Sequence, residues 1–208
     1  MKSLDGLKME TKKHRVEELP VILNNGNIQK TIDDYYKFLQ LVQIDEIRTH
    51  LGGMDAIGMF HELKRGVVKD GPYFEISIFE AANRIMTDLT ILFGIQELLF
   101  HERLSEYKNY RVEFGNGNKQ LFDIHSDSTR GGRRLVGEAF NVAPSYFHTK
   151  KSQELTKLRK YKQPSDFILL LFNQDAFTER TTLVNTEFEL HLAVDVEKKH
   201  KQFNPAPV

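Results

Sequence analysis

The feature that most constrains this chain is an uninterrupted apolar run over residues 166–172, Asp-Phe-Ile-Leu-Leu-Leu-Phe, which follows Pro164. A strand with one face in water alternates apolar and polar side chains, whereas a strand covered on both faces does not need to. The run therefore predicts a central strand that is buried on both faces. Such a strand requires a sheet between two layers of other structure.

Helical periodicity dominates the first half of the chain. Apolar residues at helical spacing predict a helix over residues 28–51, which Gly52-Gly53 would end, and a short helix over residues 54–64. Residues 74–100 form the longest apolar-periodic stretch and predict a long buried helix, with Gly94 as an expected interruption. These patterns place helices before any strand.

The period changes to two after residue 109. Residues 110–114 alternate, residues 115–118 favour a turn, and residues 119–125 predict the second strand of a hairpin. Residues 134–142 predict a third strand, residues 145–161 a helix, and residues 181–196 a last strand or hairpin arm. A right-handed crossover through the 145–161 helix would make the 166–172 strand parallel to a neighbour.

The predicted order of helix, three strands, helix and strand is an α/β fold with extra N-terminal helices. We expect one domain overall. In it, residues 1–72 form an N-terminal helical region packed on the core, residues 73–197 form the α/β core, and residues 198–208 form a flexible tail.

Composition removes several classes of protein. The chain is 40% apolar and 28% charged, as folded domains are, and it has no Cys, which excludes disulfides, thiolate zinc sites and cysteine nucleophiles. No stretch reaches the ~18 consecutive apolar residues of a membrane helix. The first 15 residues lack the apolar core of a signal peptide. We therefore expect a cytoplasmic protein without a membrane partner.

The formal charge is zero, but it is unevenly distributed. Residues 130–162 contain nine Lys or Arg and only Glu138 and Glu154 as acids, a net charge of +7. Such a block favours a polyanion partner for one face, and a solvated helix face accounts for it equally well.

Two acids lie within apolar strand patterns. Asp123 follows Leu121-Phe122 in the second predicted strand, and Glu138 lies inside the third. If these strands pair, both carboxylates can point to one side of the sheet. A buried unpaired carboxylate costs several kcal/mol, so it needs a cation, a hydrogen-bond partner or a proton. Two converging carboxylates favour a hard divalent cation such as Mg²⁺.

This order of elements, with Asp on the second strand and Glu-x-x on the third, resembles the PD-(D/E)xK nuclease superfamily, which includes most type II restriction endonucleases. The resemblance covers about residues 75–175. It implies a restriction-endonuclease-like core, α-β-β-β-α-β, with a mixed sheet flanked by helices. It also implies a Mg²⁺ site, with Mn²⁺ as a substitute, formed by Asp123, Glu138, the carbonyl of Ala139 and Glu80 of the preceding helix. An intrahelical ion pair with Arg84 is the alternative interpretation of Glu80.

The sequence departs from this family at Phe140, where the motif has Lys. We favour a relocated lysine, with Lys150 and Lys151 as the first candidates, and an inactive domain is the alternative. Basic residues around the two acids would bind the DNA backbone. These are Arg130, Arg133, Arg134, Lys157, Arg159 and Lys160.

The resulting hypothesis is a Mg²⁺-dependent DNA endonuclease of the restriction or phage-defence kind, with Asp123, Glu138, Lys150, Lys151 and Glu80 as catalytic residues. Cutting both strands of double-stranded DNA would require a homodimer, for which the 28–51 helix is a candidate interface. A non-catalytic nucleic-acid-binding or assembly subunit on the same fold is the alternative. A third possibility is an unrelated α/β protein in which both acids are solvated or ion-paired.

Overall fold

The fold is α/β, as the sequence predicted. A computed structural model describes residues 14–115, 120–128, 132–177 and 183–203, and this part of the chain contains six α-helices and six strands. The helices are α1 (Ile28–Gln40), α2 (Ile44–Gly52), α3 (Ala56–Arg65), α4 (Ile78–Leu99), α5 (Phe147–Tyr161) and α6 (Val196–Phe203). The strands are β1 (Ile22–Leu23), β2 (Tyr110–Val112), β3 (Ile124–Asp127), β4 (Arg134–Phe140), β5 (Phe167–Asn173) and β6 (Glu189–Val194).

The six strands form one mixed sheet in the order β1-β2-β3-β4-β5-β6. Strands β1 to β4 pair antiparallel, whereas β5 is parallel to β4 and β6 is parallel to β5. The predicted parallel placement of β5 is confirmed, because α5 connects β4 to the parallel strand β5, and the right hand of this crossover stays a prediction.

Strand β5 lies at the centre of the core, and each of its residues is buried, as the apolar run predicted. Its side chains alternate between two apolar clusters. Leu169 and Leu171 belong to the cluster that contains the buried residues of α4. Leu170 and Phe172 belong to the cluster on the α5 side, where Phe172 contacts Phe147 with ring centroids 4.9 Å apart. Two-sided burial removes the need for polar positions in this strand.

Gly94 does not interrupt α4, contrary to the expectation from sequence, and the helix runs unbroken from Ile78 to Leu99. A Cβ at position 94 would lie 2.6 Å from Leu171 Cδ1 and 3.3 Å from Val194 Cγ2. The glycine therefore allows α4 to approach the sheet closely. Among the described residues, neither α4 nor another helix combines the length and apolarity that crossing a membrane requires.

The N-terminal region differs from the prediction in two ways. The predicted 28–51 helix is divided into α1 and α2, because the chain tightens after Gln40 into turns in which Leu41 and Val42 donate to carbonyls three residues earlier. Residues 22 and 23 form the edge strand β1 beside β2, so this region also extends the sheet.

The predicted flexible tail begins as a helix. Residues 198–203 belong to α6, whereas residues 204–208 lie outside the described part of the chain. Val196 is buried at the start of α6, and the His200 ring stacks on Tyr36 of α1 at 5.7 Å. These contacts attach the helix to the rest of the fold, which charge content alone did not indicate.

Asp88 is fully buried in α4 and connects this helix to the β2–β3 hairpin. Its carboxylate accepts hydrogen bonds from the hydroxyls of Tyr35 and Tyr73 and from the backbone N–H of Gly115. Burial raises the pKa of Asp88 to about 7, although the three hydrogen bonds and Arg84 oppose that shift. The acid therefore fixes the end of β2 relative to α4.

Replacing Asp88 by Asn removes a group whose pKa differs between the folded and unfolded chain. Between about pH 4 and about pH 7 the folded protein keeps a proton on Asp88 that the unfolded chain has lost, so this group destabilises the fold increasingly as pH rises. We expect the free energy of unfolding of the wild type, relative to Asp88→Asn, to fall by up to about 1.4 kcal/mol per pH unit in that range. Urea denaturation across this range measures the difference, and parallel curves would contradict the assignment.

Candidate metal and catalytic centre

Asp123 and Glu138 lie opposite each other on neighbouring antiparallel segments. Ile124 pairs with Gly137, so the residue before β3 falls opposite Glu138. Side chains in such a cross-strand pair share a face of the sheet, with Cβ atoms about 4.5–5.5 Å apart. The backbone N–H of Ala139 donates to Asp123 Oδ2 at 3.0 Å and holds that carboxylate against β4. The structure thus brings the two acids together, and their role as metal ligands stays a prediction.

Glu113 extends this pair into a row of three acids. Val112 of β2 pairs with Ile124, and the backbone N–H of Glu113 donates to the Asp123 carbonyl at 2.9 Å, which continues the register by one residue. Glu113 is therefore opposite Asp123 on the next segment of the sheet. Its Oε2 accepts the backbone N–H of Gln120 at 2.7 Å. Sequence reasoning missed this residue.

Glu138 is the most deeply buried acid of the row, with 2% of its side chain exposed. Its Oε2 accepts a hydrogen bond from Lys157 Nζ at 2.9 Å, whereas its buried Oε1 finds no hydrogen-bond partner among the described residues. Burial and the adjacent charge of Asp123 raise the pKa of Glu138 well above its ordinary value, against the effect of Lys157. Burial also raises the pKa of Asp123, against its hydrogen bond from Ala139. A proton or a cation between the two groups would relieve their repulsion.

Lys157 of α5 is the lysine that contacts this pair. Although burial opposes it, the hydrogen bond and charge of Glu138 raise the pKa of Lys157, which keeps the ammonium protonated. Lys150 also lines the site, but it forms an ion pair with Glu154 one turn along the helix. Lys151, which the sequence favoured equally, lies near Glu189 and has a pKa that burial lowers. Lys157 is thus a better candidate for the relocated lysine than Lys150 or Lys151. The sequence predicts Lys157 only as a contact of the DNA backbone.

A polar cleft of about 360 Å³ opens over the row of acids. Side chains at Lys150, Glu154 and Lys157 share one face of α5, because they are spaced four and three residues apart. That face forms one wall of the cleft, and the sheet forms the other. The lining residues are Glu113, Gln120, Asp123, Glu138, Ala139, Lys150, Glu154 and Lys157.

The carboxylate oxygens of the cleft are ligands of the kind that Mg²⁺ prefers. No group of three or more metal-ligating side chains is close enough to hold a cation by itself among the described residues. Mg²⁺ does not require one, because it commonly binds through one or two carboxylates and keeps waters or phosphate oxygens as its other ligands. The unpartnered Oε1 of Glu138 and the adjacent Asp123 meet that need. Ala139 also lines the cleft, where its backbone N–H donates to Asp123, and the role of its carbonyl as a ligand stays a prediction.

The structure does not bring Glu80 into this cleft. Its side chain is about half exposed and pairs with Arg84 at 2.6 Å, which is the intrahelical alternative that the sequence allowed. Glu113 is the further acid that lies beside Asp123. The sequence carried a signal for it, because Tyr110 and Val112 alternate inward, and Glu113 therefore faces away from the α4 side. Only the register of β2 with β3 shows that Glu113 lies beside Asp123.

Most of the predicted DNA-binding residues that the structure describes already have acidic partners. Lys157 pairs with Glu138, and Lys160 lies over the ring of Tyr161 at 4.7 Å. Arg130 lies outside the described residues. The partners of the other three are distant in sequence, which is why the basic block looked unopposed. The pairs are Arg133 with Glu187, Arg134 with Asp166, and Arg159 with Glu189.

Comparison with models of protein families, with curated proteins and with solved structures finds no match for this chain. The geometry of the cleft therefore carries the functional argument.

Replacing Glu138 by Gln should stabilise the metal-free protein and remove its response to metal. The amide eliminates the repulsion with Asp123, and Lys157, with 37% of its side chain exposed, can turn toward water. We expect the free energy of unfolding in EDTA to rise by about 1–3 kcal/mol. The wild type, by contrast, should gain about 2.7 kcal/mol at a Mg²⁺ concentration 100 times its Kd.

Urea denaturation in EDTA and in Mg²⁺ measures both effects. Glu197→Gln is the matched control, because Glu197 is exposed on α6 and pairs only at the surface with Lys201. We expect it to change neither value. A Glu138→Gln protein that is less stable in EDTA and still gains stability from Mg²⁺ would exclude Glu138 as a ligand.

Proposed function

We propose that this chain is a Mg²⁺-dependent endodeoxyribonuclease of the PD-(D/E)xK type, in which α4, β2, β3, β4, α5 and β5 form the restriction-endonuclease-like core. The row Glu113, Asp123 and Glu138, with Lys157 on Glu138, is the observation that carries the proposal. It combines carboxylates for a hard cation with an ammonium group in one polar cleft.

Lys157 provides the cation that Phe140 lacks. Phe140 faces the α5 side and packs against Phe147 and Phe172, with both ring centroids 5.8 Å away, so it belongs to the core. Lys157 reaches Glu138 from α5 instead. This arrangement supports an active site over the inactive domain that Phe140 alone suggested.

Hydrolysis of a phosphodiester requires charge stabilisation at phosphorus, attack by water and release of an alkoxide. When bound, Mg²⁺ supplies Lewis acidity and neutralises charge on the phosphate. Asp123 and Glu138 would hold the ion, while the Lys157 ammonium would donate to a non-bridging phosphate oxygen. Lys150, on the same wall of the cleft, would add positive charge toward an approaching phosphate. Water adds to phosphorus and loses a proton to solvent, while the bond to the leaving oxygen breaks and that oxygen takes a proton from solvent.

We extend the proposal to duplex DNA and to a homodimer, because one centre per chain cuts one strand. Helix α1 is a poor interface, since its apolar residues Ile28, Ile32 and Tyr35 are buried within the chain. Helix α2 has no buried residue, and half of Ile44 is exposed. Within the 28–51 segment, α2 is therefore the part available to a second copy.

Incubating supercoiled plasmid with the wild-type protein and Mg²⁺ should yield nicked and linear DNA. We expect Glu138→Ala and Lys157→Ala each to lower the cleavage rate on the order of 10²-fold or more, because each removes a preorganised charge at the phosphate. Gel electrophoresis of a time course measures the rates. The same assay on Lys150→Ala and Lys151→Ala compares how much each of the two lysines that the sequence favoured contributes to the cleavage rate.

Lys201→Ala is the matched control, because Lys201 is exposed on α6, pairs with Glu197 at the surface and does not line the cleft. Its rate should stay within about twofold of the wild type. Intact plasmid across a broad panel of sequences, in a protein that still binds Mg²⁺, would reject the nuclease. That result would favour the alternative function, a non-catalytic nucleic-acid-binding subunit on the same fold.

A further inference from the structure

A second cavity, of about 260 Å³, adjoins the cleft at the far end of β2. Glu113 and Gln120 line both cavities, and the hydrogen bond from the Gln120 backbone to Glu113 forms part of the wall between them. Neighbouring strands are about 4.8 Å apart. The second cavity therefore begins one strand away from Asp123, within the reach of a single nucleotide bound at the cleft.

The lining of this second cavity contains both apolar and hydrogen-bonding groups. Val21 and Phe114 provide apolar surface, and the Arg84 guanidinium lies over the Tyr73 ring at 5.6 Å from its centroid. His14 contributes a flat ring on the same wall. Aromatic rings and guanidinium planes are the surfaces on which nucleobases stack.

The charges of the lining disfavour an anionic occupant. Glu17 and Glu113 both line the second cavity, and Arg84 already pairs with Glu80, so an anion such as phosphate is disfavoured. Burial and the charge of Arg84 lower the pKa of His14. Because the His14 Nδ1 accepts the backbone N–H of Phe74 at 3.4 Å, the neutral ring carries its proton on Nε2. That nitrogen is a donor for the polar edge of a base.

The floor of the second cavity is preorganised. Gly115 and Tyr73 both line it and both donate hydrogen bonds to the buried Asp88. Because this floor is already ordered in the free protein, ligand binding does not incur the entropy cost of ordering it, which favours affinity.

We propose that the second cavity is a subsite for an unpaired nucleobase of the strand whose phosphate lies over Asp123 and Glu138. The inference rests on the proposed nuclease function and adds to it a preference for DNA in which the nucleotide next to the scissile bond is bulged, splayed or extruded. Flipped bases are held in this manner, between stacking surfaces and groups that bind their polar edge.

Binding of 2-aminopurine oligonucleotides to the full chain tests this subsite without relying on cleavage. Two duplexes of the same sequence context are compared in Ca²⁺, one with the fluorescent base as a single-nucleotide bulge and one with it paired to thymine. We expect roughly tenfold tighter binding of the bulged duplex and quenching of its fluorescence by stacking. Fluorescence titration of the wild type measures both.

Val21→Trp, which fills the second cavity from a half-exposed position, should reduce that preference to less than about twofold. Ile22→Trp is the matched control, since Ile22 is the next residue, is also exposed and does not line the cavity. It should keep the wild-type preference. Equal affinity of the wild type for both duplexes overturns the subsite, and so does equal loss of preference in the two variants.

The cleavage assay separates failure of the subsite from failure of the nuclease. Plasmid cleavage that depends on Glu138, together with equal binding of the two duplexes, rejects the subsite alone. If the protein does not cleave plasmid, does not bind Mg²⁺ and binds neither duplex, the proposed function is rejected. The subsite is then rejected with it.

Discussion

The cross-strand register of β2, β3 and β4 is the constraint on which the candidate site depends. Side chains of a strand alternate between the two faces of its sheet, so a slip of one residue in β3 would turn Asp123 toward the apolar cluster around α4. The pairing of Ile124 with Val112 and Gly137 excludes that slip. The same register puts Ile124 into the core and Asp123 into the cleft. Hydrophobic burial on one face thus positions the acid on the other.

The facing carboxylates of Asp123 and Glu138 lower the stability of the fold locally. Two carboxylates that face each other near the core repel, and Glu138 loses water without gaining a partner for one of its oxygens. The surrounding sheet provides compensation, because β5 is buried along its whole length and Gly94 lets α4 pack closely on it. Two neighbouring carboxylates with raised pKa values at the base of a cleft are typical of a functional site.

The elements with strong periodic signals could be predicted from sequence, namely α4, β4, α5 and β5. Their patterns are long and depend on local burial. The division between α1 and α2 and the helix α6 could not, because a tight turn at Leu41 and a ring contact between His200 and Tyr36 depend on tertiary packing.

Within the site, Asp123 and Glu138 were recognisable because acids interrupt apolar strands there. Glu113 was not recognisable as a site residue, and Lys157 was recognisable only as a basic residue for the DNA backbone. A lysine on a polar helix looks like any other surface lysine until the helix is docked. An acid that precedes a turn gives no sign of its neighbour until the register is known. In both cases the missing information was the pairing of two elements, which no single segment of sequence contains.

Phe140 shows how the packing of the core determines the position of a site residue. The side chain at this position lies on the same face of β4 as Glu138, but it packs with Phe147 and Phe172 instead of entering the cleft. Phe147 is the first residue of α5, and Lys157 follows it by ten positions, about 15 Å along the helix axis. The aromatic cluster therefore sets where α5 lies on the sheet, and α5 sets where the Lys157 ammonium meets Glu138. The phenylalanine at position 140, where the proposed motif would have a lysine, thus contributes to the packing that brings Lys157 to Glu138.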